Sequence, residues 1–146
     1  MNTFYSKILI AYDGSSLSEK ALKMAITLAK QDANVELDVI SVSNPNSAAI
    51  MGSTGIYNKE LFDEFKEHSE KIVSVAKENL STLPNKVRAE VLEGNPGKII
   101  VDYAMENNCD LVVMGSRGLS GLAEVFLGST SHYVVQRCHC PVFIIK

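Results

Sequence analysis

Three things are scarce in this chain, and each scarcity removes a class of function. Basic residues are few and scattered: 14 Lys and Arg against 17 Asp and Glu give a formal net charge of −3, with no cluster that would lay a basic stripe for DNA or RNA. Nucleic acid is not an expected partner. Long apolar runs are missing, since none nears the roughly 20 residues of a membrane span. The opening Met-Asn-Thr-Phe-Tyr-Ser-Lys also has no basic region followed by an apolar core. A soluble, cytoplasmic protein with no membrane partner is expected. Cysteine is limited to Cys109, Cys138 and Cys140, an odd count that suits a reducing compartment. Cys138-His139-Cys140 invites a metal reading, but it supplies no second ligand group at zinc spacing, and structural zinc takes four ligands. The plainer reading sends Cys140 and Pro141 into a buried last strand, and no metal site is predicted.

What the chain does have is a large apolar fraction, 46% of 146 residues, enough for one domain with a substantial core. The apolar run over residues 7–12 ends in Asp13-Gly14 and reads as a central parallel strand buried on both faces. Ser16-x-x-Glu19 has capping-box spacing, and Ser18, Ala21, Leu22, Ala25, Leu28 and Ala29 then share one helical face. Residues 35–42 form a second strand, and Asn44, Pro45, Gly52 and Gly55 make residues 43–58 a loop. Leu61, Phe65, Ile72, Ala76, Leu80 and Leu83 recur at helical intervals before Pro84, which predicts the longest helix over 59–83. A third strand over 87–92 precedes a turn and a helix with Pro96 as its first residue. A fourth strand over 111–114, a helix from near Gly128 and a fifth strand at Val142–Ile145 complete the pattern. Strands alternating with helices point to a parallel sheet covered on both faces.

Four of the nine glycines fall between Met114 and Thr130. Gly115 follows the apolar run Leu111-Val112-Val113-Met114, so a buried strand opens into a loop whose backbone amides a ligand can approach closely. Gly128-Ser129-Thr130-Ser131 leads into the last helical pattern, placing free amides, small hydroxyls and a positive dipole end at the same loop. That is a plausible phosphate site. Turn glycines and a Gly-Ser-Thr cap would explain the same residues without a ligand. The run is neither G-x-x-x-x-G-K-[ST] nor the G-x-G-x-x-G of dinucleotide folds.

The spacing Gly115-x2-Gly118-x9-Gly128-Ser129 resembles the nucleotide-binding motif of the universal stress protein family. The stretches Lys7-Ile8-Leu9-Ile10-Ala11-Tyr12-Asp13-Gly14, Cys109-Asp110-Leu111-Val112-Val113-Met114-Gly115-Ser116-Arg117-Gly118 and Cys140-Pro141-Val142-Phe143-Ile144-Ile145-Lys146 resemble that family's first, fourth and last strands. The match spans nearly the whole chain and is to the ATP-binding group. The resemblance implies a three-layer doubly wound α/β sandwich like the adenine nucleotide alpha hydrolases. Its five-stranded parallel sheet has order 3-2-1-4-5, with the ligand at the switch point beyond strands one and four. It also implies site residues. Ala11, Tyr12 and Asp13 would contact the adenosine half and Val42 would line the adenine pocket. Met114 and Gly115 would pass under the ribose, Arg117 and Gly118 would border the phosphates, and Gly128, Ser129 and Thr130 would bind them. Asp13 could accept a hydrogen bond from the adenine amino group or the ribose, or merely cap the next helix.

ATP is the expected cofactor, with Mg2+ or Mn2+ held mainly by phosphates and waters. Between Gly115 and Thr130 the only charged side chains are Arg117 and Glu124, the latter in an expected helical stretch with Val125 and Phe126. His132 is expected at the surface, with Val134 and Val135 facing inward. Fast phosphoryl transfer would need more than this, so no catalytic residue is assigned. The expected function is a nucleotide-responsive regulatory module, with slow hydrolysis or none and an unidentified protein partner. The alternatives are an interaction protein with a purely structural motif, or a sluggish ATPase that phosphorylates itself on Ser129, Thr130 or Ser131. The resemblance further implies a homodimer paired through Val142–Ile145, an apolar strand at a sheet edge.

Overall fold

The structure, a computed structural model, describes residues 4–52, 55–118 and 127–146. The expected helical stretch around Glu124, Val125 and Phe126 lies outside the described residues, as does Gly121. The elements run β1 (Lys7–Ala11), α1 (Ser16–Ala29), β2 (Glu36–Ser43), α2 (Ala48–Met51), α3 (Lys59–Leu80), β3 (Val87–Glu93), α4 (Pro96–Glu106), β4 (Leu111–Gly115), α5 (Ser129–Arg137) and β5 (Val142–Ile145). The five strands form one sheet in the order β3-β2-β1-β4-β5, and every pairing is parallel. This is the expected fold.

Side chains alternate across a strand, so each strand feeds two cores. In β1, Ile8 and Ile10 enter one apolar cluster with Ala21, Leu22 and Ala25 of α1 and Ala76 and Leu80 of α3. Leu9 enters the other, with Ile100 and Ala104 of α4 and Val134 of α5. Hence α1 and α3 cover one face and α4 and α5 the opposite one. No helix among the described residues is long and apolar enough to cross a membrane.

One charged residue breaks the apolar pattern. Asp38, in β2 between Leu37 and Val39, is 1% exposed. The Tyr103 hydroxyl donates to its Oδ2 at 2.7 Å and the Arg88 guanidinium at 3.2 Å, while Lys7 Nζ stands 4.0 Å away. A buried carboxylate is tolerable only with partners of this kind.

Several local expectations need correction. The cap of α1 is Ser15, whose Oγ accepts from the Ser18 N–H, and Ser16 is already helical. Glu19 makes no capping box because it accepts a hydrogen bond from the Tyr12 hydroxyl instead. Residues 43–58 are not all loop: α2 interrupts them, and its Ile50 is buried. In α3 the buried positions are Phe62, Val73, Ala76 and Leu80, whereas Phe65 is exposed. The helix ends at Leu80, where Ser81 becomes its C-cap and its Oγ donates to the Glu78 carbonyl. In α5, Val134 is buried but Val135 is 46% exposed, since adjacent helical residues point about 100° apart. The last strand is only half-covered, with Phe143 exposed, because β5 has a neighbour on one side alone.

Candidate functional site

Parallel pairing aligns the carboxyl ends of β1 and β4, with Ile10 opposite Val113, at the point where connections leave for opposite faces of the sheet. Such a switch point leaves a crevice. Here it is a cavity of about 620 Å³, within the range of small-molecule sites. Ala11, Tyr12, Asp13, Val42, Met114, Gly115, Arg117, Gly118, Gly128, Ser129 and Thr130 all line it. The eleven positions that the family resemblance implies for the site therefore line one cavity.

Two glycines are needed for this closeness. A Cβ on Gly115 would lie 2.8 Å from Leu17 Cβ, and one on Gly118 would lie 2.7 Å from Asp13 Oδ2. The loop after β4 thus packs directly on the turn after β1. Asp13 does not cap α1. Its Oδ1 accepts from the Ser15 N–H at 2.9 Å, closing the turn just before the cap, and its other oxygen faces Gly118. Tyr12 is buried, and burial followed by the Glu19 carboxylate pushes its phenol well above the ordinary range. It stays protonated and donates to Glu19.

At the other wall, Gly128 is the N-cap of α5 and, among the described residues, no side chain caps that helix. Its first-turn amides are left for a ligand or water, and the positive end of the helix dipole faces the cavity. Ser129 is exposed and Thr130 half-buried. Ser131 differs: it is 2% exposed and its Oγ donates to the Ser116 carbonyl at 2.6 Å, so this hydroxyl is committed inward. His132 is exposed, as expected.

Sequence reasoning missed a second part of the wall. Ser43, Asn44, Ser47, Phe62, His68 and Ser69 also line the cavity, from the end of β2 and from α3. Ser43 is the most informative. It is 6% exposed, and its Oγ has no hydrogen-bond partner among the described residues, while its backbone carbonyl accepts from the Gly94 N–H at 3.0 Å. A buried hydroxyl that no described protein group satisfies, on a residue of the cavity wall, calls for a ligand or water partner. The available signal was Ser41 and Ser43 alternating with apolar residues at the end of β2.

Chemically, the walls offer anion-binding amides at one end and a mixed apolar and hydroxyl surface at the other. Among the described residues the ionisable side chains on them are Tyr12, Asp13, His68 and Arg117. Asp13, the one carboxylate in that described set and already holding Ser15, is by itself a poor cage for a bare divalent ion.

Comparison with known proteins follows the same lines. Residues 4–146 match the family model described as the universal stress protein family. The chain is 36% identical over 148 aligned residues to universal stress protein YxiE of Bacillus subtilis, covering 97% of this chain and 99% of that one. Among solved structures it superposes on universal stress protein UspA from Lactobacillus plantarum with TM-score 0.84 and 27% identity, covering 99% of this chain and 100% of the other. It shares the fold of a universal stress protein solved in complex with cAMP, at TM-score 0.71 and 24% identity, covering 99% of each chain.

Proposed function

The chain belongs to the universal stress protein family, and we propose that it is an ATP-binding member that acts as a nucleotide-responsive regulatory module with slow hydrolysis or none. One observation carries this reading: the eleven positions implied by the family resemblance line a single cavity of about 620 Å³. A solved universal stress protein with the same fold holds cAMP, which is in keeping with an adenine nucleotide here.

In this reading Ala11, Tyr12, Asp13 and Val42 hold the adenosine half. Met114 and Gly115 pass under the ribose. Arg117, Gly118 and the first turn of α5 take the phosphates. A micromolar site needs about 8 kcal/mol of net binding, and a helix dipole contributes at most about 2 kcal/mol. Several amides must therefore act together. Arg117 adds a planar donor suited to phosphate. Mg2+ or Mn2+ fits as an ion carried by the triphosphate and water, with the protein contributing little. The scarcity of carboxylates among the described wall residues favours binding over turnover, since rapid phosphoryl transfer needs metal-holding groups and a residue that orients the nucleophile. Residues 43–58, whose Ile50 already lines the cavity, are the natural element to transmit occupancy to a protein partner. A homodimer through β5 would cover its half-exposed apolar edge.

The test is mass analysis of small molecules released on denaturing freshly purified protein, alongside a Gly118→Trp variant. ATP in the parent and none in the variant is the expected result. No nucleotide in either, together with no heat on titrating the parent with Mg2+ and ATP, would overturn the proposal and leave the motif structural.

A further inference from the structure

All three cysteines gather at the amino end of the sheet, away from the cavity. Cys138 is the C-cap of α5, held by its N–H donating to the Val134 carbonyl at 2.9 Å, and its backbone is extended at φ −71 and ψ 139. Two residues later the Pro141 carbonyl accepts from the Val112 N–H at 3.0 Å. The tripeptide is therefore pinned at both ends. In an extended chain residues i and i+2 point the same way, and the Cys138 and Cys140 sulfurs lie 3.4 Å apart. The donor atoms of Cys138, His139 and Cys140 all fall within 4.8 Å of one another. Both cysteines are half-buried against the second core, and His139 is exposed.

We propose that Cys138, His139 and Cys140 form a three-donor site for a soft, thiophilic cation, for which Cu(I) is the best-suited biological ion. Counting ligands at zinc spacing argues against tetrahedral zinc, because three consecutive residues supply no fourth donor. Monovalent d10 ions are content with two or three ligands, and soft thiolates are the donors that suit Cu(I). The geometry is close to what is needed. Two sulfurs on one metal at bonds of about 2.3 Å and a trigonal angle stand about 4.0 Å apart, so the pair need open by only a little over half an ångström. The site lies just past the carbonyl end of α5, whose dipole favours a cation. Arg137, the residue before Cys138, has its guanidinium over the Tyr133 ring at 4.6 Å. Binding releases the two S–H protons to solvent and leaves the copper oxidation state unchanged.

The experiment is competition for Cu(I) between the full-length protein, its thiols fully reduced, and the chromophoric chelator bicinchoninate. The parent is expected to remove one equivalent of Cu(I). Cys138→Ser and Cys140→Ser should weaken that by at least the roughly 10- to 100-fold that losing even an outer-shell partner costs. His139→Ala, at an exposed position where folding is not at stake, should weaken it less, and Cys109→Ala should leave it intact. X-ray absorption on the copper-loaded parent should show two sulfurs and one nitrogen. A double Cys138→Ser, Cys140→Ser variant that competes as well as the parent would overturn the proposal. So would a first shell without sulfur, or loss of binding only in Cys109→Ala.

Discussion

Ser43→Ala should have opposite effects on the empty and the ligand-bound protein. Without ligand, Ser43 is 6% exposed and its hydroxyl has no partner among the described residues, and a buried unsatisfied donor costs about 1–3 kcal/mol. Removing it leaves a gap of a single oxygen atom, so the net gain should be about 1 kcal/mol. For a chain of 146 residues, with an unfolding entropy of about 2.1 cal/mol/K per residue, that raises the melting temperature by about 3 °C. If the hydroxyl binds the nucleotide of the proposed ATP complex, it contributes a hydrogen bond of about 0.5–1.5 kcal/mol, so ATP affinity should fall roughly 2- to 10-fold. Thermal unfolding of nucleotide-stripped protein and calorimetric titration with Mg2+ and ATP read the two effects separately. If the parent binds ATP but empty Ser43→Ala melts lower than the parent, or its affinity is unchanged, the hydroxyl is not a ligand contact.

Three further outcomes follow from other parts of the fold. Tyr103→Phe removes the 2.7 Å hydrogen bond to the buried Asp38 carboxylate and should cost about 2 kcal/mol in urea unfolding, as expected for a bond to a charged group; a loss within 0.5 kcal/mol (about the size of a surface substitution) would mean that Arg88 and Lys7 suffice. Burial pushes the Cys109 thiol up to about 12 from 9.0 and raises the Tyr103 phenol, chiefly by burial. The folded state therefore holds these protons more tightly than the unfolded chain. Their contribution is fully present below pH 9 and is lost as pH rises toward 12, at up to about 1.4 kcal/mol per pH unit for each group. Denaturant titrations at pH 8 to 11 should show this decline, with a shallower slope in Cys109→Ala. Finally, Val142→Asp or Ile144→Asp should give monomer by light scattering, and an unchanged dimer would refute pairing through β5.

The wiring of the fold was legible because buried parallel strands announce themselves as apolar runs, and because the glycine spacing resembles one family's motif. The positions proposed for the site came from the wider resemblance, and what the structure adds is that they line one cavity. What escaped was set by tertiary competition. Glu19 has the spacing of a capping residue, but the neighbouring Tyr12 hydroxyl takes its carboxylate. Leu61, Phe62 and Phe65 are all apolar near the start of α3, so periodicity alone could not choose which face turns inward; Phe62 does. Asp38 interrupts an apolar strand, and its partners Arg88 and Tyr103 come from elements far along the chain. Ser43 was hidden because its importance lies in a bond it lacks. The Cys-His-Cys tripeptide looked too short for a metal, and only the pinning of both its ends brings the donors together.

The pairing of Ile8 with Leu111 joins segments from opposite ends of the chain, and the cavity lies between the turns that follow those two strands. A half-folded molecule without that pair has no binding site at all. Long-range parallel pairing comes slowly, because the connecting chain must be closed before any contact repays it. ATP should therefore leave the refolding rate unchanged and slow only unfolding. In a cell, nucleotide supply would then set how long each copy survives, with no influence on how fast new copies mature.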